Sequence, residues 1–515
     1  MSDSVSGLQF EKLLTDPLLW IKHQEQLSTA VALLSFIITC LAYQIVTNSR
    51  KNFPPGPWGL PIVGYMPFMK KNVYLQLNEL SKKYGEVFGL RLGSQPVLVL
   101  NSADVIRETM SRSEFQGRCP TSIFKAVERE SPFFASENHI WIEHRKFVIQ
   151  SMKDLGLGKS KLEEEVQEEI DTFMEYLRRH SDKPIDLEMP LTKSVSNNIC
   201  LMVSNERYDY DDPEREKLFN NMHTLAKVLS QTASQGFFPW LRKVPFINWY
   251  MNIEAGKRSA RATKELFSQK IEQHEKTLNA KNVRDFIDMY LLEMKAKNSK
   301  NQDTTLSLDR LVGSVADLFG AGTITVKIQL LWCVYVMAAF PDIQKRVQKE
   351  IESQFGPERK PEFRDAKLLP YTSAVILEIT RWKTIVPIPF LRYTTKDTTV
   401  RGFNIPKGTT VMENLYHAHH DPKLWSNPKT FMPERFLSED GQKVIKSPNL
   451  MPFSVGKRAC PGDVLANMEV FLYFVSMLQK FDITFPPGFK PTFSAKFTVA
   501  YILDPFKVLL TPRNS

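Results

Sequence analysis

The sequence predicts a mainly α-helical protein with small β elements, built as a single large domain behind an N-terminal membrane anchor. Four long segments have apolar residues at helical spacing and almost no proline, and these are 163–179, 259–278, 308–340 and 341–355. Strand-like sequence is confined to 87–100, to 392–413 and to the C-terminus. One uncharged stretch near the N-terminus predicts the anchor.

The anchor is predicted at residues 27–46, the longest uncharged stretch of the chain. At about 1.5 Å per helical residue, this length crosses a bilayer core of about 30 Å. Its serine, threonine and glutamine residues leave a buried or interfacial helix as the alternative. A late start without a small-x-small cleavage site argues against a signal peptide, and preceding acidic residues argue against a transit peptide. Arg50 and Lys51 follow directly, so the positive-inside rule places the main domain in the cytosol.

Four parts are predicted along the chain: a tail (1–26), the transmembrane anchor (27–46), a basic and proline-rich hinge (47–64) and the main domain (65–515). Within the hinge, the run PPGPWGLP at 54–61 is typical of a stiff, non-helical spacer. A proline-rich ligand for another protein is the competing interpretation. The position of the run between an anchor and a fold disfavours it.

Composition bounds the class of protein. Of 515 residues, 43% are hydrophobic and 24% charged, which excludes a disordered or fibrous chain. Five scattered cysteines without a C-x-x-C pair favour a reducing compartment over a disulfide framework. The net charge of +10 comes without a basic cluster interleaved with aromatic residues, so a membrane surface or an acidic partner is favoured over nucleic acid.

Local signals define several elements of the main domain. A hairpin is predicted from strands at 87–92 and 96–100 around the pair Gly93-Ser94, with Ser102 capping a helix over 103–110. The segment 308–340 is predicted to be one helix of about 50 Å, capped by Ser307 and ended by Pro341. Such a helix spans the whole domain.

One cysteine lies in a loop-like run, FSVGKRACPG at 453–462. Gly456 and Gly462 are predicted to supply unusual backbone angles and a close approach, and Pro461 to take the first position of the next helix. Backbone N–H groups at that helix terminus, with Arg458 and its neighbouring lysine, are predicted to lower the pKa of Cys460. A buried free cysteine is the alternative, but five fixed positions in one pattern favour a metal-ligating thiolate.

This run resembles the cysteine-ligand loop of the cytochrome P-450 family, the haem-thiolate monooxygenases, and the resemblance extends from the hinge to the C-terminus. It implies the family fold, with Cys460 as the axial ligand of haem b iron and Phe453 beside the haem. It also implies insertion of one atom of O2 into a lipophilic small molecule, either a xenobiotic or a steroid-, fatty-acid- or terpenoid-like hormone. Electrons from NADPH would come through NADPH-cytochrome P-450 reductase, with cytochrome b5 as a second donor. Similarity to animal microsomal members implies the endoplasmic reticulum membrane, with the catalytic domain on its cytosolic face.

The middle of the long predicted helix carries GAGTIT at 320–325. Small residues there permit close approach of a flat cofactor and a local break in the hydrogen-bond ladder, although a packing notch is the more ordinary interpretation. The run resembles the family's oxygen-binding motif, which implies that Ala321 lies at the haem and that the Thr325 hydroxyl relays protons. Where most members have Asp or Glu, this chain has Ile324.

The missing acid leaves three functions open. We favour a monooxygenase in which substrate or water supplies the proton path. A haem enzyme that rearranges peroxides or endoperoxides and a non-catalytic haem sensor are the alternatives, since neither needs the acid that Ile324 replaces. Asp317 lies two helical turns away and is not expected to substitute.

Two further groups of residues match the family. Glu378 and Arg381 share one helix face, and with Arg435 of the run FMPERF they resemble its buried structural triad, so loss of one member is predicted to prevent haem incorporation. Trp141 and Arg145, four residues apart, resemble the helix that contacts the haem carboxylates. The resemblance adds Arg392, Arg458 and Arg118 as propionate ligands, a role that suits the planar guanidinium.

Other residues receive weaker assignments. His417, His419 and His420 are expected to be structural rather than zinc ligands, because no further ligand lies at suitable spacing. Exposed lysines, among them Lys146 and Lys457, suit an acidic reductase. Five phenylalanines lie in segments that line the pocket of relatives, or equally in the core: Phe133, Phe134, Phe237, Phe319 and Phe497.

Overall fold

The computed structural model describes residues 17–48, 52–118, 123–156, 160–231, 236–498 and 500–513. Its α-helices are α1 (Pro17–Asn48), α2 (Val73–Tyr84), α3 (Ala103–Met110), α4 (Ile123–Ala126), α5 (Asn138–Asp154), α6 (Ser160–Arg179), α7 (Glu188–Ser204), α8 (Pro213–Gln231), α9 (Pro245–Tyr250), α10 (Ile253–Thr277), α11 (Phe286–Ser299), α12 (Leu308–Ala339), α13 (Pro341–Phe355), α14 (Pro370–Lys383), α15 (Leu415–His420) and α16 (Asp463–Lys480). The predicted fold class, mainly α with small β elements, is confirmed. The tail up to residue 16 and the basic pair Arg50 and Lys51 lie outside the described residues.

The four long predicted helices are all present as α6, α10, α12 and α13. Two predicted caps are confirmed, because the Ser102 hydroxyl accepts from the Val105 N–H at 3.2 Å and the Ser307 hydroxyl from the Arg310 N–H at 3.4 Å. Helix α12 ends at Ala339, and Pro341 opens α13, where its missing N–H costs nothing. Boundaries therefore follow the capping residues that the sequence displays.

The strands form small sheets. They are β1 (Val87–Leu92), β2 (Gln95–Leu100), β3 (Arg392–Tyr393), β4 (Thr398–Val400), β5 (Phe403–Ile405), β6 (Thr410–Glu413), β7 (Phe481–Thr484), β8 (Ala495–Phe497), β9 (Tyr501–Leu503) and β10 (Leu509–Pro512). The largest sheet has the order β1-β2-β6-β3, and β2 pairs with β6 in parallel. The predicted hairpin is confirmed, with Val87 opposite Leu100 and Gly93 at φ +60° in the turn. Strands β3 and β6 bring distant parts of the chain beside the cysteine loop.

Helix α12 is a major part of the hydrophobic core. It packs against α7, α10, α14 and α16, and side chains from all of these helices belong to one buried cluster. By length and composition α12 is the helix among the described residues that is apolar enough to cross a membrane. Because 72% of its apolar window is buried inside the protein, it is a core helix.

The proline-rich run of the hinge packs on the main domain. The Pro55 carbonyl accepts from the Gly89 N–H of β1 at 2.9 Å. A Cβ on Gly56 would lie 1.5 Å from the Gly89 carbonyl oxygen, so no larger residue fits there. The run was predicted as a spacer that holds the domain away from the anchor, whereas its first residues are fixed to the edge of the largest sheet.

Candidate active site

The cysteine loop is a tight structure held by its own backbone and by the end of α3. The Cys460 N–H donates to the Phe453 carbonyl at 3.0 Å, and the Ala459 N–H donates to the Gly456 carbonyl at 3.0 Å. Gly456 has φ +78°, and a Cβ there would lie 2.1 Å from the Met110 carbonyl oxygen. Glycine is therefore required at 456 both for its positive φ and for the close approach to Met110, as the sequence suggested.

Two predictions about the far end of this loop are wrong. Gly462 has φ −99° and ψ 18°, a conformation open to other residues, and it caps α16. Helix α16 begins at Asp463, so Pro461 precedes the cap and does not occupy the first helical position. The atom nearest to a Cβ on Gly462 is the Cys460 sulfur at 4.0 Å. A glycine at 462 thus leaves free space beside the sulfur.

The predicted fall in the pKa of Cys460 is also wrong. Burial among protein atoms raises the pKa of the thiol, and the Gly462 N–H and the Arg145 charge oppose this effect without reversing it. Arg458, which was expected to help, turns its guanidinium to backbone carbonyls of Gln116 and Ser136. Cys460 nevertheless remains exposed to solvent in the structure although dense protein surrounds it. A coordinated metal ion would deprotonate such a thiol outright.

Helix α12 presents an open face in the middle of the core. Ala321 is exposed and Thr325 half-buried, while the residues on either side along the helix are largely buried. The Thr325 hydroxyl donates to the Ala321 carbonyl at 2.8 Å. The predicted break of the helix is not observed, since α12 is helical throughout. Gly322 is a packing notch, because a Cβ there would lie 2.4 Å from the Cδ1 atom of Ile199.

The two residues weighed as proton sources differ in their surroundings. Ile324 packs against the main hydrophobic cluster. Asp317 is buried and accepts hydrogen bonds from Arg129 Nη2 at 2.7 Å, the Ser131 hydroxyl at 2.9 Å and the Phe133 N–H at 3.1 Å. Burial raises the pKa of Asp317 to about 6, and these donors oppose a larger rise. Its carboxylate holds the loop 129–133 against α12.

Four of the predicted propionate ligands form one cationic cluster, the arginine cluster, consisting of Arg118, Arg145, Arg392 and Arg458. The Arg458 guanidinium lies 3.8 Å from the Trp141 ring centroid, and Arg145 stands over the same ring at 5.9 Å. Burial and the like charge of Arg392 lower the pKa of Arg458 to about 9. The loop, α5 and β3 therefore deliver positive charge to one place.

Counter-charges for the arginine cluster come from residues that the sequence did not single out. Glu413 of β6 accepts from Arg392 Nε at 3.1 Å, and the Ser454 hydroxyl also donates to Glu413. Glu137 accepts from the Arg118 backbone N–H. Glu413 is buried in a strand of four buried residues. A charged residue in such a strand is the signal that predicts a buried partner.

The predicted triad is formed. Glu378 accepts from Arg381 Nε at 2.7 Å and Nη2 at 2.8 Å, with all three residues' side chains at least 95% buried. Arg435 Nε lies 3.0 Å from Glu378 as an ion pair, although its angle does not make a hydrogen bond. The other N–H groups of the two arginines donate to backbone carbonyls, and Arg381 Nη1 donates to that of His419 at 2.7 Å.

The histidine run is structural as far as the described residues show. His419 accepts from the Met451 N–H through Nε2 at 3.0 Å and contacts the Thr384 hydroxyl through Nδ1 at 2.9 Å. The one group of described side chains with metal-ligand spacing lies elsewhere, at His274, Asp285 and Asp288. Arg284 already holds Asp288 by two hydrogen bonds of 2.7 Å.

The five aromatic candidates divide into core and periphery. Phe319 is 3% exposed and packs on Phe219 and Phe267, so it belongs to the core. Phe134 stacks on Phe124 and packs at a tilt against Phe390, and three others are partly buried: Phe133, Phe237 and Phe497. Of the two alternatives given for these phenylalanines, pocket lining or core, Phe319 takes the second.

Comparison with known proteins decides the family. The family profile "Cytochrome P450" matches residues 54–510. Cytochrome P450 2J5 of Mus musculus is 35% identical over 505 residues, covering 95% of this chain and 97% of that protein. Cytochrome P450 2J2 of Homo sapiens is 35% identical over 92% of this chain and 94% of its own length, and cytochrome P450 18a1 of Drosophila melanogaster is 33% identical over 93% and 90%. The chain belongs to the cytochrome P450 family.

Membership makes this chain a cytochrome P450 monooxygenase with haem iron as its cofactor and O2 as a substrate. The arrangement of this P450 fits that cofactor. Cys460 is exposed, and Arg118 Nε and Arg392 Nη1 are buried donors without a hydrogen-bond partner among the described residues. Buried unpaired donors in a cationic cluster match an anionic group such as a carboxylate.

Proposed function

We propose that this P450 is a membrane-bound haem-thiolate monooxygenase that inserts one oxygen atom into a lipophilic small molecule. The substrate class is a xenobiotic or a steroid-, fatty-acid- or terpenoid-like hormone, and the electrons come from NADPH through a reductase. The observation that carries the proposal is the accessible Cys460 sulfur beside buried arginine donors without partners. A thiol in that place suits an iron ligand, and the donors suit the carboxylates of haem b.

Individual residues take distinct roles in holding the cofactor. Cys460 would hold the iron through its sulfur, and the hydrogen bond from its N–H to the Phe453 carbonyl fixes the backbone that carries the sulfur. The arginine cluster binds the propionates, with Trp141 packing beneath two of its guanidinium groups. Bound haem supplies the reductive activation of O2 that transfers one atom to substrate and releases the other as water. Glu378, Arg381 and Arg435 hold the surrounding fold and take no part in chemistry.

Thr325 is proposed to hold and pass protons on the open face of α12. Its hydroxyl donates to the Ala321 carbonyl, so its lone pairs remain free to accept from water or substrate in the open space. Thr325→Ala is expected to divert NADPH consumption into hydrogen peroxide, measured as product formed per NADPH consumed. Unchanged coupling in that variant would contradict the role of the hydroxyl.

Ile324 is proposed to leave proton delivery to water or substrate, since Asp317 is committed to Arg129 and its loop. Ile324→Glu tests this point, because an unchanged turnover rate means that the path already runs elsewhere. Ile324 also suits two alternative functions. The first is a haem enzyme that rearranges peroxides or endoperoxides without NADPH, and the second is a haem sensor without turnover. Organic hydroperoxide consumed without reductase would support the first, and carbon monoxide binding without turnover on any lipophilic compound would support the second.

Membrane attachment is proposed through two surfaces. Helix α1 spans the predicted anchor, and its described residues Leu27–Thr39 form an exposed apolar stretch. A second exposed patch lies around α9, where Trp240, Phe246, Trp249 and Tyr250 are each more than half exposed. We place the protein in the endoplasmic reticulum membrane with the domain on the cytosolic face. Removal of residues 1–49 is expected to leave part of the protein in the membrane fraction, and full release would show that the patch does not bind lipid.

The electron donor is proposed to dock beside the cysteine loop. Lys457 on the loop and Lys146 on α5 are exposed, and a positive surface there attracts an acidic protein. NADPH-cytochrome P-450 reductase is the proposed partner, with cytochrome b5 as a second donor. Reduction of the enzyme by the reductase should slow as ionic strength rises.

The test of the proposed function is the spectrum of the purified protein. The reduced carbon monoxide complex should show the red-shifted Soret band of a cysteinate-ligated haem, and Cys460→Ser should abolish it. Reductase and NADPH should then yield hydroxylated or epoxidised product from a panel of lipophilic compounds. Retention of the band in Cys460→Ser would overturn the ligand, whereas normal spectra without product would overturn the monooxygenase.

A further inference from the structure

A carboxyl group that the proposed chemistry does not use lies deep in the core behind the cysteine loop. Glu469 of α16 is nine residues beyond Cys460 and 0% exposed. Its Oε1 accepts from Asn198 Nδ2 of α7 at 2.8 Å. The second carboxyl oxygen, Oε2, has no hydrogen-bond partner among the described residues, and neither has the side-chain oxygen of Asn198. The two side chains thus share one hydrogen bond and each holds one unused oxygen.

Among the described residues, Glu469 has no ion-pair partner to balance a negative charge. Its neighbours on α7 and α16 are the neutral amide of Asn198 and the hydroxyl groups of Ser194 and Tyr473, which bond to each other at 2.6 Å. Tyr473 is also influenced by a second buried acid, Glu169 of α6, whose own pKa is raised by burial. Burial raises the pKa of Glu469 to about 8, and the Asn198 amide is the one opposing influence. An ionised carboxylate would be a buried, unpaired charge.

We propose that Glu469 carries a proton in the folded enzyme and donates its O–H to the Asn198 side-chain oxygen, so that acid and amide form a reciprocal pair. Protonation turns the second oxygen from an acceptor into a donor, which is the group that the amide oxygen lacks. One proton therefore satisfies both orphaned atoms at once. Glu469 is a positioning residue, since its hydrogen-bond partner among the described residues is Asn198 of α7 and it lies nine residues beyond Cys460.

The pair lies between the two parts of the proposed active site. Helix α16 begins three residues after Cys460, and Asn198 connects it to α7. The next residue of α7, Ile199, contacts α12 at Gly322, beside Ala321 and Thr325. Loss of the proton would set a carboxylate against the amide oxygen and loosen the connection between the two sides. The protonation itself does not depend on the proposed function, and it holds for a haem sensor as well as for a monooxygenase.

Infrared spectroscopy of the holoenzyme tests the proton directly. The difference spectrum of wild type minus Glu469→Gln should contain the C=O band of a protonated carboxylic acid at neutral pH, and the band should vanish as pH rises through about 8. Asn198→Ala should shift this band, because the acid loses its acceptor. A spectrum without the band at neutral pH, or a band that Asn198→Ala leaves in place, would overturn the pair.

The pH dependence of stability tests the positioning role. The raised pKa of Glu469 means that its contribution is complete below the ordinary value of 4.5 and is lost as pH rises through about 8. The melting temperature of wild type should therefore fall relative to that of Glu469→Gln between these values, because the glutamine amide keeps both hydrogen bonds at every pH. The carbon monoxide complex of wild type should lose its cysteinate band with increasing pH more readily than that of Glu469→Gln. Equal pH profiles of the two proteins, or a glutamine variant that loses haem like Glu469→Leu, would overturn the proposal.

Discussion

Two groups of buried arginines in this P450 differ in the hydrogen-bond and ion-pair partners of their guanidinium groups. In the triad, Glu378 contacts both Arg381 and Arg435, and the other donors of these guanidinium groups reach backbone carbonyls. In the arginine cluster, four guanidinium groups converge and two of their N–H donors have no partner within the described chain. In the triad the one donor without a hydrogen bond, Arg435 Nε, still lies 3.0 Å from the Glu378 carboxylate. In the arginine cluster Arg118 Nε and Arg392 Nη1 are both unbonded, which suits the carboxylates of the haem proposed above.

The largest effect is expected from breaking the triad. Glu378→Gln leaves two buried arginines without their carboxylate, which costs about 3 to 5 kcal/mol of folding free energy. We expect no haem-containing protein at the normal growth temperature, measured by the absorbance of haem per mole of chain. The matched control is Glu434→Gln, the residue before Arg435, whose pair with Arg346 is half exposed and contributes about 0 to 1 kcal/mol. Haem content equal in the two variants would show that the triad is not structural.

A smaller and more selective effect is expected from the arginine cluster. Arg145 is partly exposed on α5 and stands over Trp141, so Arg145→Gln removes a proposed propionate donor at little cost to the fold. A hydrogen bond between charged groups contributes about 1.5 to 3 kcal/mol, which predicts roughly 10- to 100-fold faster haem loss to a scavenger protein. The melting temperature should stay close to that of wild type. The control Lys153→Gln on the same helix is exposed, and haem loss that it accelerates equally would remove the distinction between the two groups.

The sequence predicted those parts of the fold and site that depend on local patterns. Periodicity and capping residues located α12 and α13 almost to the residue, and motif spacing brought Glu378, Arg381 and Arg435 to one place. Gly456 was predicted correctly because a positive φ and a close approach are local demands on the chain. These features depend on residues near one another in sequence or on a run that a known family shares.

Other features depend on burial, which a sequence does not display. The pKa of Cys460 was predicted to fall because positive groups are near in sequence, yet Arg458 turns away and burial dominates. Glu413 escaped notice because its partner Arg392 lies on another strand. Gly462 was assigned a strained backbone on the strength of a motif, whereas its conformation is ordinary. For Cys460 and Glu413 the deciding neighbours come from distant parts of the chain.

The smallest effects are expected from substitution of the two glycines that flank the exposed Ala321 on α12. The two positions differ in how much space a side chain would find there. A Cβ on Gly322 would lie 2.4 Å from Ile199, so Gly322→Ala should cost about 1 to 3 kcal/mol by overpacking. A Cβ on Gly320 would meet the movable end of Met222 at 3.0 Å, and the gain in helix propensity of about 1 kcal/mol offsets this contact. Gly320→Ala should therefore melt within a few degrees of wild type, while Gly322→Ala melts lower and couples NADPH to product less well because Thr325 moves with its helix. Equal melting temperatures would mean that Ile199 of α7 moves to make room for the added methyl group. The contact between α7 and α12 would then not determine the position of Ala321 and Thr325.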